Sequence, residues 1–473
     1  MRLRNDLKDF RRPFVVLAVL AACSSFAGAQ DVRGLGLGGA LVPGPGLAAY
    51  NPAFAAYPSD GRGGGLVLPL GLLNFFINPQ LNAIDFVTNP AKYNDPDNPN
   101  APEFNVLAAF DQATHLNTLI LNPVPAPRQI NVNFSAGGVT LTDENGKPLE
   151  TNFSSGFSTA RGASAVGVSP LFRIAFGVGA VQFGLGVFIS AGGPSLAIDP
   201  KLQADLLAGN GKLPPNTTYS SAVSGAAKAS AGIAFDVGYA MPIPLPALPG
   251  ATLYAGGRGS GFYGLALVEV SALGSLKTDS SGDLRSATPD YSVTVFRADP
   301  TNGGFGYGLN ADLGVAVDLP GATLGVPELE RLNVGLGIVG AIDYYSWTGT
   351  EQTTTSAGTS VPVASSRSGG GFDPLVTLNV AGTFSLANGL RVLALTDAQF
   401  GRGRLALHLG AETQVGPLTV RGGLGLDNGF KFGLGASFDV SSGFGLDVAL
   451  TTHQAPFYNH TNFGIALAVR FGF

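Results

Sequence analysis

The last twelve residues, Asn462 to Phe473, alternate without a break: Phe463, Ile465, Leu467, Val469, Phe471 and Phe473 on one side, Asn462, Gly464, Ala466, Ala468, Arg470 and Gly472 on the other. Strict period-two alternation marks a strand whose two faces meet different surroundings. Three runs upstream obey the same rule. Phe430, Phe432, Leu434, Ala436 and Phe438 oppose Lys431, Gly433, Gly435, Ser437 and Asp439. Phe444, Leu446, Val448 and Leu450 oppose Gly445, Asp447, Ala449 and Thr451, and Leu418, Val420, Leu424 and Leu426 oppose Thr419, Arg421, Gly423 and Gly425. Each run is about ten residues, which at a tilt of about 45° crosses the hydrocarbon of a bilayer. A soluble sandwich alternates too, so composition has to separate the two.

Glycine supplies 68 of 473 residues and charged residues only 12%, against a usual charged share of about 25%. That is too few charges for a soluble surface of this size, yet no uninterrupted apolar stretch approaches the roughly 18 residues of a spanning helix. Backbone inside a bilayer must satisfy its own hydrogen bonds, which leaves a closed barrel. The expected fold is all-β: a transmembrane antiparallel up-and-down β-barrel of about 14 strands, the number being even in single-chain barrels. The lipid bilayer is its first partner, and barrel-assembly machinery acting on the aromatic-ended terminal strand its second. Its place is the bacterial outer membrane.

Residues 1–29 read as a signal peptide: a basic start, an apolar run from Phe14 to Ala22, then Ala27-Gly28-Ala29 before Gln30. Leu20-Ala21-Ala22-Cys23 also fits a lipoprotein processing box, and Arg11-Arg12 faintly resembles a twin-arginine signal. Cys23 is the only cysteine, so cleavage after Ala29 leaves no thiol for disulfides or metal.

Residues 30–58 form a Gly/Ala/Pro-rich segment without strand alternation, placed before the barrel of 59–473. Asn51 is suited to cap a short helix with Pro52 at its first position. Residues 63–73 read as a first strand, and about 78–122 as a helical and loop-like insertion with a helix from about 100 to 121. Long links are expected at 191–221, 272–290 and 349–371, with short ones such as Ala387-Asn388-Gly389 and Asp427-Asn428-Gly429 on the other side. Tyr344, Tyr345 and Trp347, the sole tryptophan, close a strand that leads into a long link. They read as part of an aromatic girdle at the membrane–water boundary.

No catalytic set emerges. His115, His408, His453 and His460 are scattered without the spacing of a zinc site, so neither metal nor cofactor is expected. Asp95-Pro96-Asp97 lacks the glycine and final Glu of a calcium loop. His408 and Glu412 share the inner face of one strand, and nothing else recruits them. A net charge of -5 with no basic run gives no footprint for nucleic acid. The inward positions of the last strands include Arg421, Lys431, Asp439, Asp447 and Arg470, but Gly and Ala outnumber them. Small inward side chains leave room for a plug, and residues 31–58 are the natural occupant.

Arg33-Gly34-Leu35-Gly36-Leu37-Gly38-Gly39-Ala40-Leu41-Val42, followed by Ala48-Ala49-Tyr50-Asn51-Pro52-Ala53, resembles the opening of the FadL-type outer-membrane transporter superfamily, with its PorV-like and TraF-like relatives. The resemblance implies a 14-stranded barrel, a hatch containing Gly38, Gly39, Ala40, Asn51, Pro52 and Ala53, and hydrophobic small molecules as cargo. Pro43-Gly44-Pro45-Gly46 replaces the acidic residue usual before the Asn-Pro-Ala motif. Two functions follow: passive transport of a hydrophobic ligand without catalysis, or a structural barrel that docks envelope proteins or serves secretion or conjugation.

Overall fold

The computed structural model describes residues 32–58, 66–68, 70–82, 92, 104–105, 108, 111–112, 115, 117–123, 131–135, 138–142, 146, 148–149, 172–178, 180–209, 212–283, 287–372, 374–387, 389–401, 404–427, 429–441, 444–455 and 460–471. The signal peptide with Cys23, residues 61–65, the acidic residues 95–97 and Phe473 lie outside them.

In chain order the strands are β1 (Leu66–Leu68), β2 (Thr118–Ile120), β3 (Asn131–Ser135), β4 (Gly138–Thr142), β5 (Pro148–Leu149), β6 (Phe172–Val178), β7 (Val181–Ile198), β8 (Thr218–Pro244), β9 (Thr252–Lys277), β10 (Thr288–Ala298) and β11 (Phe305–Pro320). There follow β12 (Leu329–Thr355), β13 (Gly358–Thr359), β14 (Val363–Gly371), β15 (Leu375–Ser385), β16 (Arg391–Gly401), β17 (Arg404–Val415), β18 (Leu418–Asp427), β19 (Phe430–Ser441), β20 (Phe444–Gln454) and β21 (Thr461–Phe471). β3, β4 and β5 make a small separate sheet; the other 18 belong to one.

Every pairing among the described residues is antiparallel, and chain neighbours are sheet neighbours from β6 round to β21. Some staves are broken. β10 and β11 lie end to end between β9 and β12, and β13, β14 and β15 lie end to end along β12. β1 and β2 share one edge of β21. With these three joined, the described sheet has fourteen staves.

The sheet is curled round residues 32–57. Near one end of the series Gln182 of β7 donates to the Ala55 carbonyl; at the other, Val32 packs on Ala449, Ala466 and Ala468 of β20 and β21. A barrel encloses the segment. Outward positions carry the greasy side chains the alternation assigned to them: Phe463 is 55% exposed and Asn462 beside it 0%. Ile465, Leu467 and Val469 share the outer face with Phe463, half-buried between neighbouring strands. Phe471 ends β21.

Three departures from the sequence reading have physical causes. The link expected at 349–371 is largely strand, and those expected at 191–221 and 272–290 shorten to 199–217 and 278–287, because β8, β9 and β12 run for 27, 26 and 27 residues. About ten residues suffice to cross hydrocarbon; beyond it both faces meet water, apolar alternation fades, and the ladder continues on polar and small residues. Among the described residues the first strand is Leu66–Leu68, followed by a helix at Gly71–Ile77. Thr118–Ile120 is wall strand rather than the end of a helix reaching 121, so the insertion spans the residues between Leu68 and Thr118.

Candidate functional site in the barrel lumen

The luminal segment opens with one helical turn, Val32–Gly36, which brings Arg33 against the wall. Arg33 Nε donates to Glu412 Oε2 at 2.9 Å and Nη2 to Oε1 at 2.8 Å, both side chains buried. Such two-pronged pairing fixes orientation as well as charge. Glu412 also lies 3.7 Å from Arg421 Nε, Arg421 reaches Asp447 at 3.4 Å, and Arg470 bridges Asp447 at 3.0 Å and Asp439 at 2.7 Å. Glu412, Arg421, Asp447, Arg470 and Asp439 thus form one series of alternating sign, while Lys431 pairs apart with Asp427. The luminal segment supplies the final cation of the series.

After the helical turn the chain crosses the wall at close quarters. Gly38 and Gly39 have φ of 68° and 98°, the left-handed region that glycine tolerates best. A Cβ on Gly38 would stand 2.6 Å from the Gly423 backbone, and one on Gly39 2.9 Å from the His408 ring. The wall is equally bare: a Cβ on Gly423 would come within 2.0 Å of the Leu37 carbonyl oxygen, and one on Gly433 within 2.2 Å of that of Leu35. Ala40 is buried with Leu37, Ala381 and Leu395, and Leu41 N donates to Asp397 Oδ2 at 2.8 Å. His408 turns to the same carboxylate, Nδ1 to Oδ1 at 2.8 Å. His408 and Glu412 therefore serve different partners.

The second half repeats this on the opposite wall. Asn51 caps the 3-10 turn Pro52–Ala56 by accepting from Ala53 N at 3.1 Å, and its amide nitrogen donates to the Val315 carbonyl at 3.0 Å. Pro52, Ala53 and Phe54 are buried. A Cβ on Gly314 would meet Asn51 Oδ1 at 1.9 Å, and one on Gly256 would meet Ala53 N at 2.7 Å. Asp312 holds Arg258 at 2.6 Å, and Arg258 Nη2 reaches the Ala49 carbonyl at 3.3 Å. Burial pushes the Tyr57 phenol above its ordinary range, with the Asp318 carboxylate adding to the shift, so it remains protonated.

Two features leave space round this segment. Asn333, Thr377, Asn379 and Gln399 face inward from β12, β15 and β16 with buried polar atoms that have no protein partner among the described residues, the situation that ordered water resolves. At the short-turn end a cavity of about 350 Å3 lies between Arg33, Val42, Pro43 and Tyr57 on one side and Asn333 and Leu393 on the other.

One broken stave of the wall carries a long excursion between its halves. β1 leaves β21 after the pair Leu68↔Leu467, and β2 begins with Thr118↔Ala466, so the register continues as though nothing intervened. On the edge of β2 turned away from β21, side-chain amides take the place of a neighbouring strand. Gln112 Nε2 donates to the Thr118 carbonyl at 2.8 Å, Ile120 N donates to Gln112 Oε1 at 3.2 Å, and Asn74 Nδ2 donates to the Ile120 carbonyl at 2.9 Å. Among the described residues, this edge of β2 meets side chains of the insertion and not a strand ladder.

The girdle reading needs correction at Trp347, which is 0% exposed and packs inward with Phe262, Leu267 and Phe296. Its indole lies where Cβ atoms on Gly264 and Gly306 would stand, at 2.1 and 2.2 Å from ring carbons. Tyr345 packs against the same cluster. Tyr344, 42% exposed, does face outward, where it meets Tyr307 at 6.1 Å, close to the Tyr263–Phe305 stack. Tyr307, Tyr263 and Phe305 carry no sequence signal beyond strand parity.

The histidines are not all scattered. Asp111 and His115 of the insertion meet His453 of β20 and Asn462 of β21, a grouping that spacing along the chain conceals.

No protein-family model matches the chain, and no curated protein matches it. Among solved structures it is similar to the P. putida toluene transporter TodX at 11% identity over 73% of this chain and 87% of that one, with a TM-score of 0.36. It is also similar to the Ralstonia pickettii toluene transporter TbuX at 14% identity over 63% and 79%, TM-score 0.30, and to outer membrane phospholipase A from Escherichia coli at 10% identity over 63% and 98%, TM-score 0.23. At such scores these likenesses bear on neither substrate nor mechanism.

Proposed function

We propose that this protein is an outer-membrane barrel through which small hydrophobic molecules pass passively, with residues 32–57 as the hatch. The observation that carries the reading is the interrupted stave. A wall whose seam is held by the Asn74 and Gln112 amides can part there without breaking a strand ladder, which gives an apolar solute a route from lumen to hydrocarbon. The apolar outer face supports placement in a bilayer, since contiguous exposed apolar surface of this extent is unsuited to water. The resemblance of the Gly38-Gly39-Ala40 and Asn51-Pro52-Ala53 motifs to FadL-type transporters points the same way. No catalysis enters this reading.

The test compares the full protein with a variant lacking residues 32–57 in planar bilayers, alongside uptake of an apolar dye into proteoliposomes. Deletion is expected to raise ionic conductance severalfold, while the intact protein admits the dye at low conductance. Unchanged current on deletion, or no dye uptake by the intact protein, overturns the reading. A second function, a docking barrel for envelope or secretion partners, is favoured by one observation: β8, β9 and β12 run well past the length needed to cross a bilayer. Normal envelope assembly in a strain lacking the protein would count against that alternative.

A further inference from the structure

We infer that Asp111, His115 and His453, with the amide of Asn462, form a site for a divalent transition-metal ion that staples the insertion to the barrel wall. The three ionisable groups offer ligand atoms that all lie within 4.8 Å of one another. His453 Nε2 is 3.0 Å from each Asp111 carboxylate oxygen, and His115 Nδ1 is 3.2 Å from Oδ1. In a tetrahedral zinc site with bonds of about 2.0–2.1 Å, neighbouring ligand atoms are separated by about 3.3 Å, so the contacts of Asp111 with the two histidines need to open by only a few tenths of an ångström.

Asn462 supplies the second observation. It is fully buried; its Nδ2 faces both Asp111 Oδ2 and His453 Nε2, the latter at 3.4 Å, while its Oδ1 has no partner among the described residues. A half-turn about the final side-chain bond exchanges the two atoms and aims the unpartnered oxygen at the ion. Two imidazoles, a carboxylate and an amide oxygen make a borderline donor set, which suits Zn2+ and its neighbours and not Ca2+ or Mg2+.

The rings of His115 and His453 are stacked, centroids 3.9 Å apart and 19° from parallel. They must pivot for their lone pairs to converge. Each coordinates through a nitrogen that now serves as a hydrogen-bond donor to Asp111, and takes its proton on the other ring nitrogen; neutral imidazoles release none. Asp111 and His115 belong to the insertion, whereas His453 and Asn462 sit near the adjoining ends of β20 and β21. An ion at this point would fix the insertion against the wall beside β2.

The full protein, purified in detergent and stripped with a chelator, would be titrated with Co2+ and then Zn2+. The expected result is one Co2+ per chain with the intense visible bands of a four-coordinate ion, displaced by Zn2+. His453→Gln and His115→Ala should each weaken binding by more than about tenfold, and His460→Ala, altering a histidine outside the group, should leave it unchanged. Should His453→Gln fail to fold, His115→Ala decides, since that residue is on the insertion and not on a wall strand. Absence of stoichiometric Co2+ uptake by the wild type, or uptake that survives both substitutions, overturns the assignment.

Discussion

Trp347 shows how a single residue is assigned to a face by its neighbours and not by its own chemistry. An indole is at home at a membrane boundary, but here Gly264 and Gly306 on the flanking strands leave a slot on the inner side, and the ring fills it. Fluorescence of this sole tryptophan should therefore resist quenching by brominated lipid; strong quenching would place it outside. Trp347→Ala should cost about 3–5 kcal/mol, the usual range for emptying a buried aromatic site, read as a lower unfolding temperature of the detergent-solubilised barrel. Gly38 is the complementary case. Gly38→Ala adds about 1–2 kcal/mol of left-handed strain to a backbone collision with Gly423. Limited proteolysis should then cut the luminal segment faster than in the wild type, and equal rates would contradict its tight seating.

Among the elements, the insertion between β1 and β2 is held by polar contacts, so its docking should respond to acid. Burial alone would raise the Asp111 carboxyl, but hydrogen bonds from His115 and His453 outweigh it and hold the group below the usual carboxylate range. A depressed folded-state pKa contributes stability that is complete above the unfolded value, near 3.9, and is lost as pH falls through the folded one. Protection of the insertion from hydrogen exchange should therefore be lost in strong acid, well below about pH 4; protection that persists there would sink this account. Asp111→Asn should loosen it at every pH.

The same element marks the limit of what the sequence reveals. Parity in β18 to β21 was readable because a strand has only two faces and one of them is greasy. The Asn51 cap was readable because the amide it caps, that of Ala53, is two residues away. His115 and His453 are separated by most of the chain, and no local pattern announces their contact. The outer parts of β8 and β12 lost their signal where Ser, Thr, Gly and Ala crowd both faces. The glycines of β18 and β19 could be counted as room for a plug, but which residue of the luminal segment each one accommodates depends on register across several strands.

At the scale of the whole molecule, the outer face should behave as a band of limited height. Leu434 lies outward on β19, near the middle of the strand. Leu434→Arg should cost about 2–4 kcal/mol if that position is at the bilayer midplane, and a similar change nearer a strand end about 0–1 kcal/mol. Unfolding of both variants by urea in lipid vesicles measures the difference; equal costs at both heights would argue that water, not hydrocarbon, surrounds the barrel. Inside, polarity is arranged differently. Charges of alternating sign gather on β17 to β21, while glycines make room along the path of residues 32–57, so the contents of the lumen hold the shape of the cylinder as much as its ladder does.

The unbroken register across β1 and β2 has one more consequence. Because Leu68 and Thr118 pair with consecutive residues of β21, joining them directly would yield an ordinary six-residue stave without moving a neighbour. The excursion is thus a cartridge set into the wall: lengthening or exchanging it leaves the register of the other staves as it is, and selectivity at the seam can be altered without refolding the rest.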